Sequence, residues 1–465
     1  MNNSDQSSVR FCAGAAQVDI TPGKNVLLAG AGGRYRPGQL VADPLFAKAL
    51  ILETESCKLC IIALDLTVVM RPYTEQIRKA ATEEFGFDPD AVMVHATQTH
   101  SAPPLGGFMV DEDYPLKPEY AWLRCGTDEY HTFVIGRISE AIRMAHDALQ
   151  PVDVGVGSGI EGRMAFNRRA VMRDGSVGMP GRQWPLPLGP VNIRYLEGPI
   201  DPELGVMCFR TDTLKVPAVV VNYTCHPVHV FPNQLVSADW PGALSQELIR
   251  AHGKECVPLV LNGACGNINP WPPYDPDYVE DHNRMGKVLA KTAGHVLKEM
   301  SFDKCGHLSS SVKHLKIPFR ELDSEEFHKA RSFLEENPEP LWEDDQKTIA
   351  NREWIYAVGI YGLHLQIQRE EELDYEIQVF RVGDTAFVGL PGEPFVEGQL
   401  RIKLESPANS TYVVHGTTEY AGYLPIKEAI KRGGHEGKTS YWSKLAPEAL
   451  DLVVGEAVKM LKELF

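Results

Sequence analysis

Residues 91–104 read AVMVHATQTHSAPP, a short apolar run followed at once by a loop that carries two imidazoles and an amide. Similar apolar runs precede or enclose the segments NYTCHPVH (222–229), LPGEPF (390–395) and EYAGYLP (419–425). Short apolar runs of this kind predict buried strands, and in α/β folds the loops at the carboxyl ends of strands gather into one site. The sequence therefore predicts an α/β protein whose site is assembled from several distant strand ends.

The composition of the 465-residue chain excludes several classes of protein. Its 62 Asp and Glu residues outnumber its 46 Lys and Arg residues, and the net charge of −16 disfavours nucleic acid and anionic membranes as partners. No apolar run approaches the roughly 20 residues that span a bilayer, and the polar N-terminus shows no signal peptide. The nine scattered cysteines favour reduced thiols over a disulfide framework. We therefore expect a cytoplasmic protein without stable membrane insertion that acts on a small-molecule substrate, with a homo-oligomer left open.

Strand-like and helix-like segments alternate along the chain, which predicts mixed β-sheets flanked by helices in a single domain over residues 1–465. Helical periodicity is present in five segments: 73–86, 129–149, 238–252, 280–300 and 394–405. The segment at about 320–372 differs, because it is dense in Glu, Lys, Arg and Gln. It is predicted to be a charged helical excursion, with helices at 325–336 and 349–369, that forms a wall, a lid or an oligomer contact. No internal repeat is visible in the sequence.

Further motifs follow one another in a fixed order. They are Asp19-Ile-Thr-Pro22, Asp43–Glu53, Phe166-Asn-Arg-Arg169, Ser237–Gly242, Asn262–Pro270, Tyr420–Tyr423 and Glu436-Gly437. Together with the four segments above, this order resembles the neutral (alkaline, non-lysosomal) ceramidase family over residues 13 to about 442. The resemblance implies a divergent member with the α/β fold of that family's N-terminal catalytic domain, and without its C-terminal β-sandwich.

The resemblance also implies a metal site. By the family pattern His226, Glu393 and Tyr423 are zinc ligands, and Gln98 stands where the family has a fourth ligand, a histidine. Zinc is the first expectation for this set. A set rich in oxygen donors would instead favour Mg, Mn or Ca, and the replacement of the histidine leaves a metal-free site as a third alternative.

Catalytic roles follow from the same resemblance. His100 is the expected general base, because an imidazole titrates in the useful pH range. Tyr423 and His435 would stabilise the oxyanion that forms as water attacks a carbonyl, and His435 stands where the family has a tyrosine. His100 and His229 are also further candidates for the metal shell. The implied reaction is hydrolysis of an amide-type bond.

The residues expected to bind the substrate are Arg168, Asn267, Asn269, His435 and Gln98. Arg168 would bind a polar or anionic portion of the substrate, with a structural ion pair as its alternative. Asn269 and Asn267 replace the Ser and the Asp of the family's loop, and Asn269 would orient the substrate by hydrogen bonds. An acidic chain with no visible membrane segment suits a small polar N-acyl compound or sugar derivative better than ceramide.

Two other functions stay open at this point. A glycoside hydrolase would work without metal, through two carboxylates that face each other across a pocket. The candidate carboxylates are Asp65, Asp239, Glu393 and Glu436. The other possibility is a non-catalytic descendant of the family that binds a small molecule or serves as a scaffold. It stays open because one of the family's metal ligands and its loop serine are replaced in this sequence.

Overall fold

The computed structural model describes residues 11–179, 192–273, 275 and 277–465. Its strands are β1 (Cys12–Asp19), β2 (Leu40–Val41), β3 (Phe46–Glu53), β4 (Lys58–Leu64), β5 (Val92–Ala96), β6 (Gln150–Pro151), β7 (Asp153–Ile160), β8 (Phe166–Asn167), β9 (Ala170–Met172), β10 (Val177–Gly178), β11 (Ile193–Leu196), β12 (Glu203–Arg210), β13 (Ala218–Tyr223), β14 (Leu235–Val236), β15 (Val257–Asn262), β16 (Ile268–Asn269), β17 (Leu308–Pro318), β18 (Glu372–Val382), β19 (Thr385–Leu390), β20 (Glu393–Pro394), β21 (Ser410–His415) and β22 (Tyr423–Leu424). Its α-helices are α1 (Arg71–Phe85), α2 (Asp128–Asp147), α3 (Asp239–His252), α4 (His282–Glu299), α5 (Ser324–Glu336), α6 (Arg352–Arg369), α7 (Val396–Glu405), α8 (Lys427–Arg432) and α9 (Ala449–Leu464).

The three large sheets share one topology. In each, three antiparallel strands are followed by a helix that crosses to a fourth strand, parallel to the third, and then by a second helix. The first unit comprises β1, β3, β4, α1, β5 and α2; the second β7, β12, β13, α3, β15 and α4; the third β17, β18, β19, α7, β21 and α9. The sequence shows no repeat because the repetition lies in the topology, and each unit carries different insertions between its strands.

The three sheets pack around one shared core. Side chains such as Ile61, Phe209 and Phe387, one from each unit, are fully buried in it. The opposite face of each sheet is covered by the two helices of its own unit. Burying one such side chain stabilises the fold by about 1.5–3 kcal/mol, so the three sheets hold one another in place. The predicted mixed α/β architecture is confirmed.

The segment that the sequence marks as a charged helical excursion forms α5 and α6, inserted between the first and second strands of the third unit. The helix α6 begins at Arg352 and not at 349, because the Asn351 side chain accepts hydrogen bonds from the backbone N–H groups of Glu353 and Trp354 and so caps it. The single-domain boundary and the role of this segment stay predictions. Within the described ranges, no helix is long and apolar enough to cross a membrane.

Candidate active site

The site forms where the third strands of the three units end. Three residues after the last residue of β4, β13 and β19 stand Thr67, His226 and Glu393, respectively. His226 and Glu393 thus occupy equivalent places in the second and third units. The parallel fourth strand of each unit lies beside its third strand, so the loops that follow β5, β15 and β21 reach the same end of the molecule.

His226 and Glu393 face each other at the centre of the site. The Nε2 atom of His226 lies 3.0 Å from Oε2 of Glu393, and its Nδ1 atom lies 2.6 Å from the carbonyl oxygen of Cys265. Because a carbonyl oxygen only accepts, Nδ1 carries the ring proton and the Nε2 lone pair faces the carboxylate. Burial lowers the pKa of His226 well below its ordinary value, and the Arg168 guanidinium lowers it further. Two buried acceptors this close are satisfied only when a cation or a proton lies between them.

The Glu393 side chain is held by the loop that carries Tyr423. Its Oε1 atom accepts a hydrogen bond from the Tyr420 hydroxyl at 3.0 Å, and its backbone pairs with Tyr423 in the short parallel ladder of β20 and β22. Gly392 has a φ of +70°, and a Cβ atom there would lie 2.4 Å from the carbonyl oxygen of Gly422. A glycine is therefore required immediately before Glu393.

Arg168 joins three of the predicted residues. It donates to the Tyr423 hydroxyl at 3.1 Å, to Oδ1 of Asn269 at 3.2 Å and to Oε1 of Glu436 at 2.7 Å. The short antiparallel pair of β8 and β16 brings the Arg168 and Asn269 segments together. Arg168, Asn269, Tyr423 and the two central residues are almost fully buried. The structure thus brings this predicted group together around one guanidinium.

Glu436 fixes the position of Arg168. Its second oxygen accepts from Arg169 Nη1 at 2.7 Å, so both oxygens are engaged by guanidinium groups. Burial alone would raise the pKa of Glu436, but Arg168 and Arg169 lower it to about 2. Glu436 is therefore a permanent anion at neutral pH. Arg169 is held in turn by Glu197, which the sequence gave no reason to single out.

Two further predicted histidines, His100 and His435, are half-buried. The ring of His100 packs edge-on against His226 at a centroid distance of 5.5 Å. Burial and the nearby His226 lower the pKa of His100 to about 3. Arg36 donates to the backbone carbonyl of His100 at 2.9 Å and so fixes its loop, a contact without any sequence signal. In the described part of the chain, no group hydrogen-bonds the His100 ring.

Three other predicted residues make contacts outside this group. Gln98 has a φ of +67°, and its Oε1 atom lies 3.6 Å from the Cys265 thiol, which donates to it. The Asn267 side chain accepts from the backbone N–H of Val396 at 3.0 Å and so holds the start of α7. His229 bonds Asp239 at 2.8 Å, at the start of α3. Gln98 nevertheless shares a small cavity with Gly392 and Tyr420 and so stays beside the Glu393 loop.

The donor set bears on the metal expectation. Among residues 11–179, 192–273, 275 and 277–465, no three His, Cys, Asp or Glu side chains gather into a metal-ligand group. The candidate site offers one imidazole nitrogen and one carboxylate oxygen, from His226 and Glu393, which are donors that zinc accepts. Tyr423 adds an oxygen, and the Gln98 oxygen is already engaged with a thiol. The two facing acceptors are of a type that zinc binds, and Tyr423, whose hydroxyl accepts from Arg168 at 3.1 Å, would have to give up that hydrogen bond to serve as the third donor.

The carboxylates of the glycosidase alternative are engaged with cations or imidazoles. Asp65 is buried, lies 3.2 Å from Lys48 Nζ and accepts a hydrogen bond from the backbone N–H of Phe46 in β3. Asp239 bonds His229, and Glu436 is held by two arginines. Glu393 is the one member of this group that faces another acceptor.

Comparisons with known proteins establish the fold. No protein-family model matches the chain, and no curated protein matches it in sequence. Among solved structures, the neutral ceramidase from Pseudomonas aeruginosa matches with a TM-score of 0.69 and 19% identity, over 98% of this chain and 75% of that chain. A structure described as ceramidase complexed with C2 matches with a TM-score of 0.70 and 18% identity, over 98% of this chain and 76% of that chain. The chain therefore has a neutral-ceramidase-like fold, which confirms the resemblance at the level of fold.

Proposed function

We propose that the protein is a metal-assisted hydrolase that cleaves an amide-type bond in a small polar N-acyl substrate. The observation that carries the proposal is the buried pair of facing acceptors, His226 Nε2 and Glu393 Oε2, 3.0 Å apart. A divalent cation satisfies both lone pairs at once, whereas without a metal the same contact requires an added proton on His226 Nε2 or on Glu393. The likeness to structures of ceramidases, which are hydrolases, supports the same reaction class.

His226, Glu393 and Tyr423 would hold the metal, for which zinc is the first candidate. When bound, zinc supplies a Lewis acid that polarises a carbonyl and acidifies water. Neighbouring residues of the chain would orient these ligands. The Cys265 carbonyl keeps the His226 proton on Nδ1, and Tyr420 keeps Glu393 from turning away. Such outer contacts fix the ligands before substrate arrives.

Four residues around this centre would act on the substrate. Arg168 and Asn269 are hydrogen-bonded to each other and would orient the polar part of an N-acyl compound. His100 lies against His226, and its pKa of about 3 makes it a weak base, so it would orient the attacking water by a hydrogen bond rather than hold its proton at neutral pH. His435, which is also half-buried, would donate a hydrogen bond to the oxyanion that forms as the carbonyl carbon becomes tetrahedral.

The glycosidase alternative has less support. It needs one carboxyl group that is protonated near neutral pH, to donate to the leaving oxygen. The pKa of Glu436 is about 2, lowered by two arginines against the effect of burial, so Glu436 cannot fill that role. Burial raises the pKa of Asp65 in spite of Lys48, but this carboxyl group bonds Lys48 and the backbone of Phe46 rather than the central pair. The pKa of Asp239 is lowered by His229 against the effect of burial. A ligand-binding or scaffold role keeps all the contacts above and is separated from hydrolysis only by experiment.

The first experiment measures bound metal by mass spectrometry in protein purified without a polyhistidine tag or chelator. We expect near-stoichiometric zinc in the native protein and its loss in Glu393→Gln. The control is Glu405→Gln, an exposed residue of α7, which should keep the metal. A native protein without metal, with zinc appearing only in Gln98→His, would contradict the metal-assisted proposal.

The second experiment screens hydrolysis of N-acyl amino acids, N-acyl amino sugars and aryl glycosides by the same proteins. We expect turnover of an N-acyl compound that Glu393→Gln abolishes and Glu405→Gln retains. Turnover of a glycoside by metal-free protein would support the alternative enzyme. Tight binding of an N-acyl compound without turnover would support the scaffold role.

A further inference from the structure

The inserted helix α6 reaches the candidate site through one side chain. The Tyr356 hydroxyl lies 3.2 Å from Nδ1 of His435. Tyr356 belongs to the helical insertion of the third unit, whereas His435 lies in a loop after α8. This contact therefore connects the insertion directly to a residue that the proposed function places on the substrate.

Two aromatic side chains pack against the His435 ring. It stacks on Trp442 at a centroid distance of 5.8 Å with an interplanar angle of 26°, and the Tyr423 ring packs edge-on against it at 5.5 Å. The next residue in the chain, Glu436, is anchored through its carboxylate to Arg168 and Arg169. Because the plane of the ring is set and Nδ1 meets Tyr356, Nε2 is the nitrogen left for a substrate.

The remaining question is which of the two groups donates. Arg352 and Lys438 each place a cationic group 5.6 Å from the centre of the Tyr356 ring. Positive charge over the ring draws electron density from the hydroxyl, which favours the phenol as donor over the phenol as acceptor. A neutral imidazole that accepts at Nδ1 carries its proton on Nε2.

We propose that Tyr356 is a positioning residue, whose hydroxyl donates to Nδ1 of His435 and so turns its Nε2–H toward the substrate as a hydrogen-bond donor. This inference rests on the proposed function, in which His435 stabilises an oxyanion. It makes the insertion part of the active site, because the state of His435 depends on a side chain of α6. It also explains how a histidine here can donate without carrying a charge.

The first test determines the tautomer. Protein labelled with 15N only at histidine is examined by two-bond 1H–15N correlation, with His435 assigned by the signal that His435→Gln removes. We expect the proton on Nε2 in the native protein and a mixture or the Nδ1–H form in Tyr356→Phe. Tyr361→Phe, on the same helix but packed against Tyr114, is the matched control and should leave the signal unchanged. A native Nδ1–H tautomer, or a Tyr356→Phe spectrum equal to that of the control, would overturn the proposal.

The second test is a double-mutant cycle on the N-acyl substrate. We expect Tyr356→Phe to lower kcat about fivefold with little change in KM, the size of one hydrogen bond. In a His435→Gln background the amide donates whatever Tyr356 does, so the same substitution should have no further effect. An equal loss in both backgrounds would mean a merely structural role. If no N-acyl compound is hydrolysed, the proposed function fails, and the tautomer measurement still decides the role of Tyr356.

Discussion

Replacing Glu436 by glutamine removes the charge that holds the two central arginines together. Both carboxylate oxygens are bonded, to Arg168 Nε and to Arg169 Nη1, each at 2.7 Å, and the residue is 1% exposed. A glutamine of the same shape keeps one acceptor but turns an NH2 group toward a guanidinium. Breaking a buried pair on one side costs about 3–5 kcal/mol, because the partners stay charged without compensation.

The pKa of Glu436 gives the same magnitude independently. Burial opposes ionisation, yet the two arginines bring the pKa from an ordinary 4.5 to about 2. That difference corresponds to about 3 kcal/mol of stability at pH 7. A depressed carboxyl pKa stabilises the fold above the unfolded-state value and loses this contribution as the pH falls toward the folded-state value. At pH 3.5 the contribution should have fallen to about 2 kcal/mol.

The assay is urea unfolding of the native protein and Glu436→Gln at several values between pH 7 and pH 3.5. We expect the variant to lose about 3 kcal/mol at pH 7, and the gap to narrow as the pH falls. Asp451→Asn is the control, because Asp451 also pairs with two cations, Arg401 and Lys427, but is about half exposed. It should lose less than about 1 kcal/mol. A gap that stays constant with pH, or an effect no larger than that of the control, would refute the reasoning.

Three further predictions concern other buried contacts. Arg36→Lys should lower the free energy of unfolding by about 2–4 kcal/mol. The Arg36 guanidinium donates to the carbonyls of Ala29, His100 and Asn233, and the single ammonium group of a lysine cannot reach all three. An unchanged urea midpoint would contradict this. Gly392→Ala should destabilise the fold by more than about 2 kcal/mol and reduce bound metal, because of the left-handed φ and the short contact of a Cβ; normal metal content with normal stability would count against it. Lys48→Met should lower the free energy of unfolding by about 3–5 kcal/mol, because it leaves the buried Asp65 carboxylate without its cation. Adding Asp65→Asn should restore part of this loss in the same unfolding assay, and the absence of any rescue would exclude the unpaired charge as the cause.

The sequence predicts which strand ends converge better than it predicts the contacts between their side chains. Apolar runs before His226, Glu393 and His100 predict strand ends, and strand ends of one layer lie together, so their convergence follows from elementary topology. The helix predictions hold to within a few residues where an end signal is visible, as at α1, which has Pro72 in its first turn and ends before Gly86 at a φ of +69°. Such local signals depend on only a few neighbouring residues of the sequence.

Other features have no local signal. Tyr356 reaches His435 across 79 residues of sequence, and Arg36 reaches Asn233 across 197. Buried arginines of this kind bond backbone carbonyls, which every residue carries, so no residue pattern marks their partners. Long-range packing decided these contacts, and periodicity within one segment cannot report them. The helix α9 is different: it has no predicted counterpart, although its buried residues recur at helical spacing and cover the third sheet, so a local signal is present.

The repeated topology explains why the site is asymmetric. Of the three equivalent positions, two carry metal-type donors, His226 and Glu393, and the third carries Thr67. The Thr67 hydroxyl donates to the carbonyls of Thr99 and Ala102 at 2.9 Å and 2.7 Å, so it holds the loop that presents His100. In the proposed metal site a third donor would therefore come from outside this symmetric set, and the β20–β22 ladder places Tyr423 beside Glu393. The first unit thus contributes the half-buried imidazole of His100, packed edge-on against His226, where the other two units carry their donors.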